Sequence, residues 1–281
     1  MKLAGQFFER ISEYVETPIT VTTMAIESDG TQFIICSCDL VGITVNLLEL
    51  VRQKIAKENS EINTDTIVLA ATHTHTSILY NNGKSNKVSA LDVLKRYLPE
   101  DRKYVEKVKD DNILEPEEAL EFLADRISTC IIEAWNNRKK SYFSNQFGRA
   151  VVGHCRRVVY DDNSAKMWGD TNSPNFAFLE AASDSGIELI YTFDENKKLT
   201  GIVANIACPS QVVEHRSFIS SDYWGKVKIL LREKFGQDIK ILGLCSAAGD
   251  QGPRDMIRWV NPLTPIDDPN IKRDNYIVRK A

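Results

Sequence analysis

Two of the chain's four histidines lie in residues 72–76, which read THTHT and directly follow the apolar run Ile67 to Ala71. In extended backbone, side chains two residues apart point the same way, so His73 and His75 can face one cavity. Imidazole nitrogens can bind a metal ion or stabilise a developing oxyanion. The segment therefore predicts a metal-binding or catalytic site at a strand's carboxyl end, with a hydrogen-bonded pair of loop histidines as the alternative.

Two further apolar runs end in loops that carry chemically capable residues. The run Ile202 to Ala207 continues into Cys208 and a polar stretch that reaches Asp222. The run Ile239 to Leu244 continues into residues 245–254, where small residues let backbone N–H groups approach a ligand. We expect the three loops to meet in one pocket. The candidates in the last loop are Gly249, Asp250, Gln251 and Gly252.

Structural roles are the alternatives for several of these residues. Taken alone, Cys208 is more typical of a core thiol than of a ligand. Asp250 fits a turn or a helix cap, and Asp39, which follows the apolar run Ile34 to Cys38, fits a hydrogen-bonding residue at a strand end. The occurrence of three such loops in one chain favours a functional site.

The elements that must position these residues follow from the hydrophobic patterns. One helical face is predicted by apolar residues between Leu47 and Ile55, and another by those between Leu120 and Trp135, after Pro116. Alternating strands and helices predict an α/β (mixed α+β) architecture, a layered mixed sheet flanked by helices. Apolar, β-branched runs predict strands at Pro18 to Ile26, Gln32 to Cys38, Thr66 to Ala71, Ile187 to Phe193, Leu199 to Ala207 and Ile239 to Cys245.

Composition argues against several classes of protein. The net charge of −4 and the pI near 5.7 give no general attraction to nucleic acid. No apolar stretch approaches the roughly 20 residues that span a bilayer. The charged residues Glu9 and Arg10 do not suit a signal peptide, and the six cysteines include no CxxC pair. We therefore expect a cytoplasmic protein with reduced thiols and no integral membrane segment; the sequence leaves its oligomeric state open.

The chain divides into one long region and a short tail. Residues 1–260 carry the strand and helix patterns and are predicted to form one α/β domain. Residues 261–281 are rich in proline and aspartate and end without a core element, so they resemble a linker to an absent C-terminal region. The polar stretch Asn81 to Asp111 is predicted to be an insertion beside the histidine segment.

Four segments in this order resemble the neutral/alkaline, non-lysosomal ceramidase family. They are 37–40 (SCDL), 71–76 (ATHTHT), 205–211 with 221–222, and 248–253 (AGDQGP). The resemblance covers about residues 5–255, and its most specific parts are THTH and the GDxxP loop. It implies an N-terminal mixed α/β catalytic domain, a zinc ion and hydrolysis of the N-acyl amide of ceramide.

The resemblance also implies roles for individual residues. His73 corresponds to the first zinc-binding histidine, and His75 to its neighbour that helps hold the scissile carbonyl and water. Either Arg156 or Arg157 corresponds to the arginine near the substrate oxygen. Asp222 and Asp250 correspond to acidic residues that shape the pocket, and Gly249, Gln251 and Gly252 belong to the substrate-binding loop.

The chain departs from the family at important positions. Cys208 stands at or beside the second zinc-binding histidine, and a thiolate is a competent zinc ligand. Gly252 stands where the family's GDxSP loop has its serine. The remaining zinc ligands of the family, a glutamate and a tyrosine, come from a more C-terminal region.

We therefore expect a zinc-dependent hydrolase in which His73 and Cys208 bind the metal and metal-bound water attacks an amide or ester bond. The expected partner is a small-molecule or N-acyl amide substrate, not necessarily a lipid. A catalytically degenerate relative that serves as a binding or structural domain is the alternative, and a closed structural Cys/His metal site is a third.

Overall fold

A computed structural model describes residues 1–81 and 112–257 of the chain. These residues form α-helices together with mixed and antiparallel β-sheets, which confirms the predicted mixed α/β class. Near the N-terminus, β1 (Lys2–Leu3) and β2 (Arg10–Ile11) make a short antiparallel pair. Two larger sheets follow; two helices pack beside the first and one packs on the second.

The first sheet has the strand order β3-β4-β5. Strands β3 (Val21–Ser28) and β4 (Thr31–Cys38) form an antiparallel hairpin, and β5 (Ile67–Ala71) runs parallel to β4. The hairpin turn is Asp29-Gly30, with φ of 48° and 77°. A two-residue turn that matches the twist of the strands requires positive φ at both positions, which this residue pair tolerates.

Helices α1 (Val45–Glu58) and α2 (Pro116–Asn136) pack beside the first sheet. Thr44 caps α1 by accepting a hydrogen bond from the Leu47 amide, and proline opens α2 at a position where no amide donor is needed. Both predicted helices are confirmed. Their buried faces form a hydrophobic core with strands β4 and β5, and the helical residues buried there include Leu47, Val51, Ile55, Leu123, Ile127, Ile131 and Trp135.

The second sheet has the strand order β13-β12-β11-β6. Strands β11 (Gly186–Phe193) and β12 (Leu199–Ile206) form an antiparallel hairpin across residues 194–198. Strand β6 (Tyr142–Arg149), which has no strong apolar pattern and was not predicted, pairs with β11 at the edge. Strand β13 (Lys240–Cys245) runs parallel to β12.

Helix α3 (Asp222–Phe235) connects the parallel strands β12 and β13 and packs on the second sheet. Trp224 is fully buried in a second core cluster together with Cys208 and Ile241. An added Cβ at Gly243 would lie 2.6 Å from the Trp224 ring, so the indole packs directly on backbone. Strand β13 also contacts the strands of the first sheet, which brings the carboxyl ends of both sheets together.

The remaining strands are short and carry the loops around the candidate site. Strands β8, β9 and β10 form a small antiparallel sheet, and β7 pairs with β14. Their bounds are β7 His154–Cys155, β8 Arg157–Tyr160, β9 Ala165–Met167, β10 Phe176–Leu179 and β14 Gln251–Gly252.

All the predicted strands are present, with shifted ends. The largest shift is in the first, which was predicted to start at Pro18 and begins at Val21. The prediction was wrong there because the Thr20 amide donates to the Asp39 carboxylate instead of joining a ladder. Nearly all of the predicted insertion Asn81 to Asp111 and all of the predicted tail 261–281 lie outside the described residues. Within the described ranges, no helix is long and apolar enough to cross a membrane.

Candidate functional site

The THTHT segment joins the two halves of the fold. On one side, the Thr72 amide donates to the Cys38 carbonyl at 3.0 Å, at the end of β4. On the other side, the His75 amide donates to the Ser210 carbonyl at 3.4 Å, in the loop after β12. The threonines alternate with the histidines and are fully buried, namely Thr72, Thr74 and Thr76. The histidine side chains point to the opposite, partly open side, as the spacing predicted, although the backbone at His73 is left-handed and not extended.

His73 and His75 form a close pair. Their Nε2 atoms are 3.0 Å apart and the ring centroids 4.7 Å apart. His73 has a φ of 62°, and its Nδ1 lies 2.6 Å from the carbonyl oxygen of Val41. A carbonyl only accepts, so we assign the proton to Nδ1 of His73. The Nε2 atom of His73 then carries a lone pair, which faces His75 Nε2.

Both imidazoles are neutral near pH 7. Burial lowers the pKa of His75 to about 4, and the nearby His73, Arg10 and Arg156 lower it further in the same direction. Burial also lowers the pKa of His73, although its bond to Val41 acts in the opposite sense. Neutral imidazoles retain lone pairs that can accept a proton or a metal ion.

Gln211 and Glu214 lie next to His75. The Gln211 amide nitrogen is 3.1 Å from His75 Nε2 and donates to Glu214 Oε2 at 3.2 Å. Glu214 Oε2 is 3.4 Å from His75 Nδ1, and burial raises the pKa of this carboxyl group. In the sequence these two residues belong to a polar stretch that reveals no role for either.

Arg10 binds the backbone of the residues that form the cluster. Its guanidinium donates to the carbonyls of His75 at 2.5 Å and of Glu214 at 2.7 Å, and the side chain is almost completely buried. It also donates to the carbonyls of Ala4 and Arg216. Sequence reasoning missed Arg10, because it lies in no motif and its acceptors are backbone atoms from distant segments.

Arg156 reaches the cluster through the β7–β14 pair. Its amide donates to the Asp250 carbonyl at 2.8 Å, and its guanidinium donates to the Gly249 carbonyl at 2.8 Å and to Gln211 Oε1 at 3.2 Å. Burial lowers the pKa of Arg156, while Glu214 and Asp250 oppose the shift. The neighbouring Arg157 points elsewhere and forms an ion pair with Glu180 at the surface. Of the two candidate arginines, the structure thus brings only Arg156 to the histidines.

The loop 249–252 contacts an aromatic wall made by Trp168. An added Cβ at Gly252 would lie 2.7 Å from Trp168 Cη2. The guanidinium carbons of Arg156 and Arg254 are 5.4 and 5.1 Å from the centroid of the same ring. Trp168 therefore fills the space next to Gly252 that a larger side chain would need. Gln251 is buried and donates to Asp250 Oδ2 at 3.0 Å, so its side chain braces the loop.

The structure places two other candidates in packing and capping contacts. Cys208 is fully buried in the second core, and burial raises the pKa of its thiol. Its Sγ lies 3.5 Å from the Pro209 carbonyl, and its own carbonyl accepts from the Tyr223 hydroxyl. Asp222 has a φ of 55° at the start of α3 and accepts from the amides of Val213 and Tyr223.

Solved structures resemble this chain in fold. No family model and no curated protein matches the chain. Among solved structures, a ceramidase complexed with C2 matches with a TM-score of 0.65 and 15% identity, over 90% of this chain and 36% of that one. A neutral ceramidase from Pseudomonas aeruginosa matches with a TM-score of 0.66 and 15% identity, over 94% of this chain and 38% of that one.

The chain has a ceramidase-like fold. It spans less than two fifths of the length of either ceramidase that it resembles. At 15% identity the similarity shows the fold and leaves the chemistry to be argued from the side chains.

The residues present can be compared with the zinc ion that the sequence resemblance implies. His73 fits as a ligand, because its Nδ1–H is held by the Val41 carbonyl and its Nε2 lone pair is free of a proton. Cys208 does not fit, because it lies in the core with a raised thiol pKa. Among residues 1–81 and 112–257, no group of three or more His, Cys, Asp and Glu side chains is arranged to hold a metal ion.

The contact between Gly252 and Trp168 gives a first prediction. Gly252→Ser is expected to lower the free energy of unfolding by about 1–3 kcal/mol, because the new side chain overlaps the indole. Gly249→Ser is the control, since an added Cβ there meets nothing within 4 Å, and it should change stability by about 0.5 kcal/mol or less. Urea unfolding followed by circular dichroism measures both. Equal stability of the two variants would contradict the packing described for Trp168.

Proposed function

We propose that this chain carries the active site of an enzyme that hydrolyses an amide or ester bond. The observation that supports it most directly is the connected cluster in which neutral His73 and His75 lie 3.0 Å apart and Gln211 links His75 to Arg156. Such a cluster combines a proton acceptor with fixed hydrogen-bond donors in a partly buried place. The ceramidase-like fold supports the same reaction class.

In this proposal, Arg156 and His75 stabilise the oxygen of the scissile carbonyl. Arg156 is held by Gly249 and Gln211, so its guanidinium needs no reorganisation when negative charge develops on that oxygen. Neutral His75 can donate one ring N–H to the same oxygen or accept a proton from the attacking water. Asp250 and Gln251 hold the loop that positions Arg156, since the Arg156 amide donates to the Asp250 carbonyl.

The proposal includes a zinc ion, and His73 is the residue that would hold it. When bound, zinc lowers the pKa of a coordinated water toward neutrality and supplies a nucleophile. Cys208 is not a ligand in this proposal, because its thiol is buried in the second core. We propose a small-molecule or N-acyl amide as substrate, with an ester as the close chemical alternative.

A catalytically degenerate relative is the second candidate function. It is favoured by one observation, namely that Gly252 stands where the resemblance implies a serine and Trp168 occupies the adjacent space. A chain of this kind would bind ligands in the same cluster without turning them over.

Activity and metal content test the proposal together. The full-length protein is assayed with a panel of N-acyl amides and the matching esters, and zinc is measured by elemental analysis of the folded sample. We expect turnover with at least one amide, and we expect His73→Ala to lower both zinc content and turnover. His215→Ala is the control, because this exposed histidine lies outside the pair. A folded, zinc-loaded protein that cleaves no member of the panel would support the degenerate relative instead.

A further inference from the structure

A cavity of about 510 Å³ lies along one face of helix α2. The helix contributes five residues to its wall, and residues 18–21, which lead into β3, form another part. The five helical residues recur at steps of three and four, so they share one face of the helix. They are Phe122, Leu123, Arg126, Ile127 and Cys130.

The cavity lies on the threonine side of the THTHT segment. Asp39 lines it, and the same carboxylate accepts a hydrogen bond from the Thr72 hydroxyl, which points away from the histidines. Among the described residues, its lining includes none of the side chains that surround His73 and His75. The cavity is therefore separate from the site proposed for hydrolysis.

The wall changes from apolar in its depth to cationic at its mouth. Ile78 and Ile127 are 4% and 0% exposed, whereas Phe122 is 44% exposed and Arg126 is exposed as well. The Arg126 guanidinium carbon lies 5.4 Å from the centroid of the Phe122 ring. The other charged lining residue is Asp39, whose carboxylate is neutralised by a buried lysine at 2.8 Å. The charge that a ligand would meet at the mouth is consequently positive.

We propose that this cavity binds the hydrocarbon chain of a fatty acid, with the carboxylate paired to Arg126 at the mouth. Sites for small molecules are typically cavities of roughly 300–1,000 Å³ with mainly apolar walls and few polar groups. The apolar depth favours burial of a flexible chain, and a guanidinium matches the two oxygens of a carboxylate. This binding does not depend on the proposed hydrolase function.

The first test measures binding of hexanoate, octanoate, decanoate and decan-1-ol to the full-length protein by isothermal titration. Affinity is expected to rise about three- to fourfold for each CH₂ added between hexanoate and decanoate, because each is transferred from water to the apolar wall. Arg126→Gln should weaken decanoate binding about three- to fivefold, the upper range for an exposed ion pair, and should leave decan-1-ol binding nearly unchanged.

Arg149→Gln is the matched control for Arg126→Gln. The Arg149 guanidinium carbon lies 5.3 Å from the centroid of the Phe147 ring, and this exposed arginine is on strand β6, outside the cavity. The variant should keep the wild-type affinity for every probe. Affinity that does not depend on chain length, or equal loss of decanoate binding in the two arginine variants, would overturn the inference.

The second test locates the bound chain through the cysteines. Cys130 lines the cavity and is half-buried, whereas Cys245 is also half-buried but lies outside the cavity. Saturating decanoate is expected to slow alkylation of Cys130 by N-ethylmaleimide several-fold and to leave Cys245 unaffected, as measured by mass spectrometry of the peptides. Decanoate that binds without protecting Cys130 would place the chain elsewhere, for example in the histidine cluster, and would overturn the assignment of this cavity.

Discussion

Replacing Arg156 by alanine is expected to lower kcat/KM by about 10²- to 10³-fold, the usual effect of losing one preorganised donor to a developing oxyanion. The guanidinium is held by the Gly249 carbonyl and by Gln211, which in turn contacts His75. The variant therefore loses the donor and its connection to the histidine pair. The measurement is steady-state kinetics with the best amide of the panel, together with a thermal unfolding curve for each sample.

Arg157→Ala is the control for this prediction. It removes an arginine one residue away whose partner is Glu180, so kcat/KM should remain within about threefold of the wild type, since exposed ion pairs contribute little. A rise in KM with unchanged kcat in Arg156→Ala would show that the residue contributes only uniform binding. A folded Arg156→Ala protein with wild-type kcat/KM would remove Arg156 from the proposed catalytic group.

The largest expected effect on stability is at Lys228. Its ammonium group lies 2.8 Å from Asp39 Oδ2, and the side chains of Lys228 and Asp39 are 5% and 0% exposed. Lys228→Met is expected to lower the free energy of unfolding by about 3–5 kcal/mol, because it leaves the Asp39 carboxylate buried without its counter-ion. Asp39 would still accept hydrogen bonds from Thr20 and Thr72.

Helix α3 itself provides the control. Lys226 lies two residues before Lys228 and pairs with Glu16, but its side chain is 45% exposed. Lys226→Met should therefore cost about 1 kcal/mol or less. Urea unfolding of both variants makes the comparison, and the double variant Lys228→Met with Asp39→Leu should recover part of the loss. Equal destabilisation by the two lysine substitutions would contradict a buried ion pair.

Asp39 illustrates how local sequence and tertiary contacts combine. Its position after a strand predicted a hydrogen-bonding residue, and the bonds from Thr20 and Thr72 confirm this. Its partner Lys228 comes from a helix 189 residues away, and no local pattern could identify it. The bond to Thr72 extends the same network to the residue before His73.

The role of Cys208 could not be predicted from the family resemblance. Its position corresponds to a zinc-binding histidine of the family, and a thiol at that place is chemically able to replace imidazole. Whether it does so depends on the direction of the side chain, which packs with Trp224 and Ile241 in the second core. That direction is set by the packing of α3 on β12 and β13, which is not visible in the local sequence.

The sequence by itself determined the mixed α/β class, the main strands, two of the helices and the placing of both histidines of the THTHT segment on one side. The class, strands and helices are local features, because they depend on the periodicity of apolar residues. The two-residue spacing correctly predicted that the histidines share a side, but the backbone at His73 is left-handed and not extended. The tertiary structure alone decided that Arg156 and not Arg157 meets the histidines, that Arg10, Gln211 and Glu214 join them, and that Trp168 closes the space beside Gly252. Those contacts connect segments far apart in the chain, and their partners are often backbone carbonyls, which every residue carries. The types of the residues therefore do not predict these contacts, and only the packing of the two sheets brings the residues together.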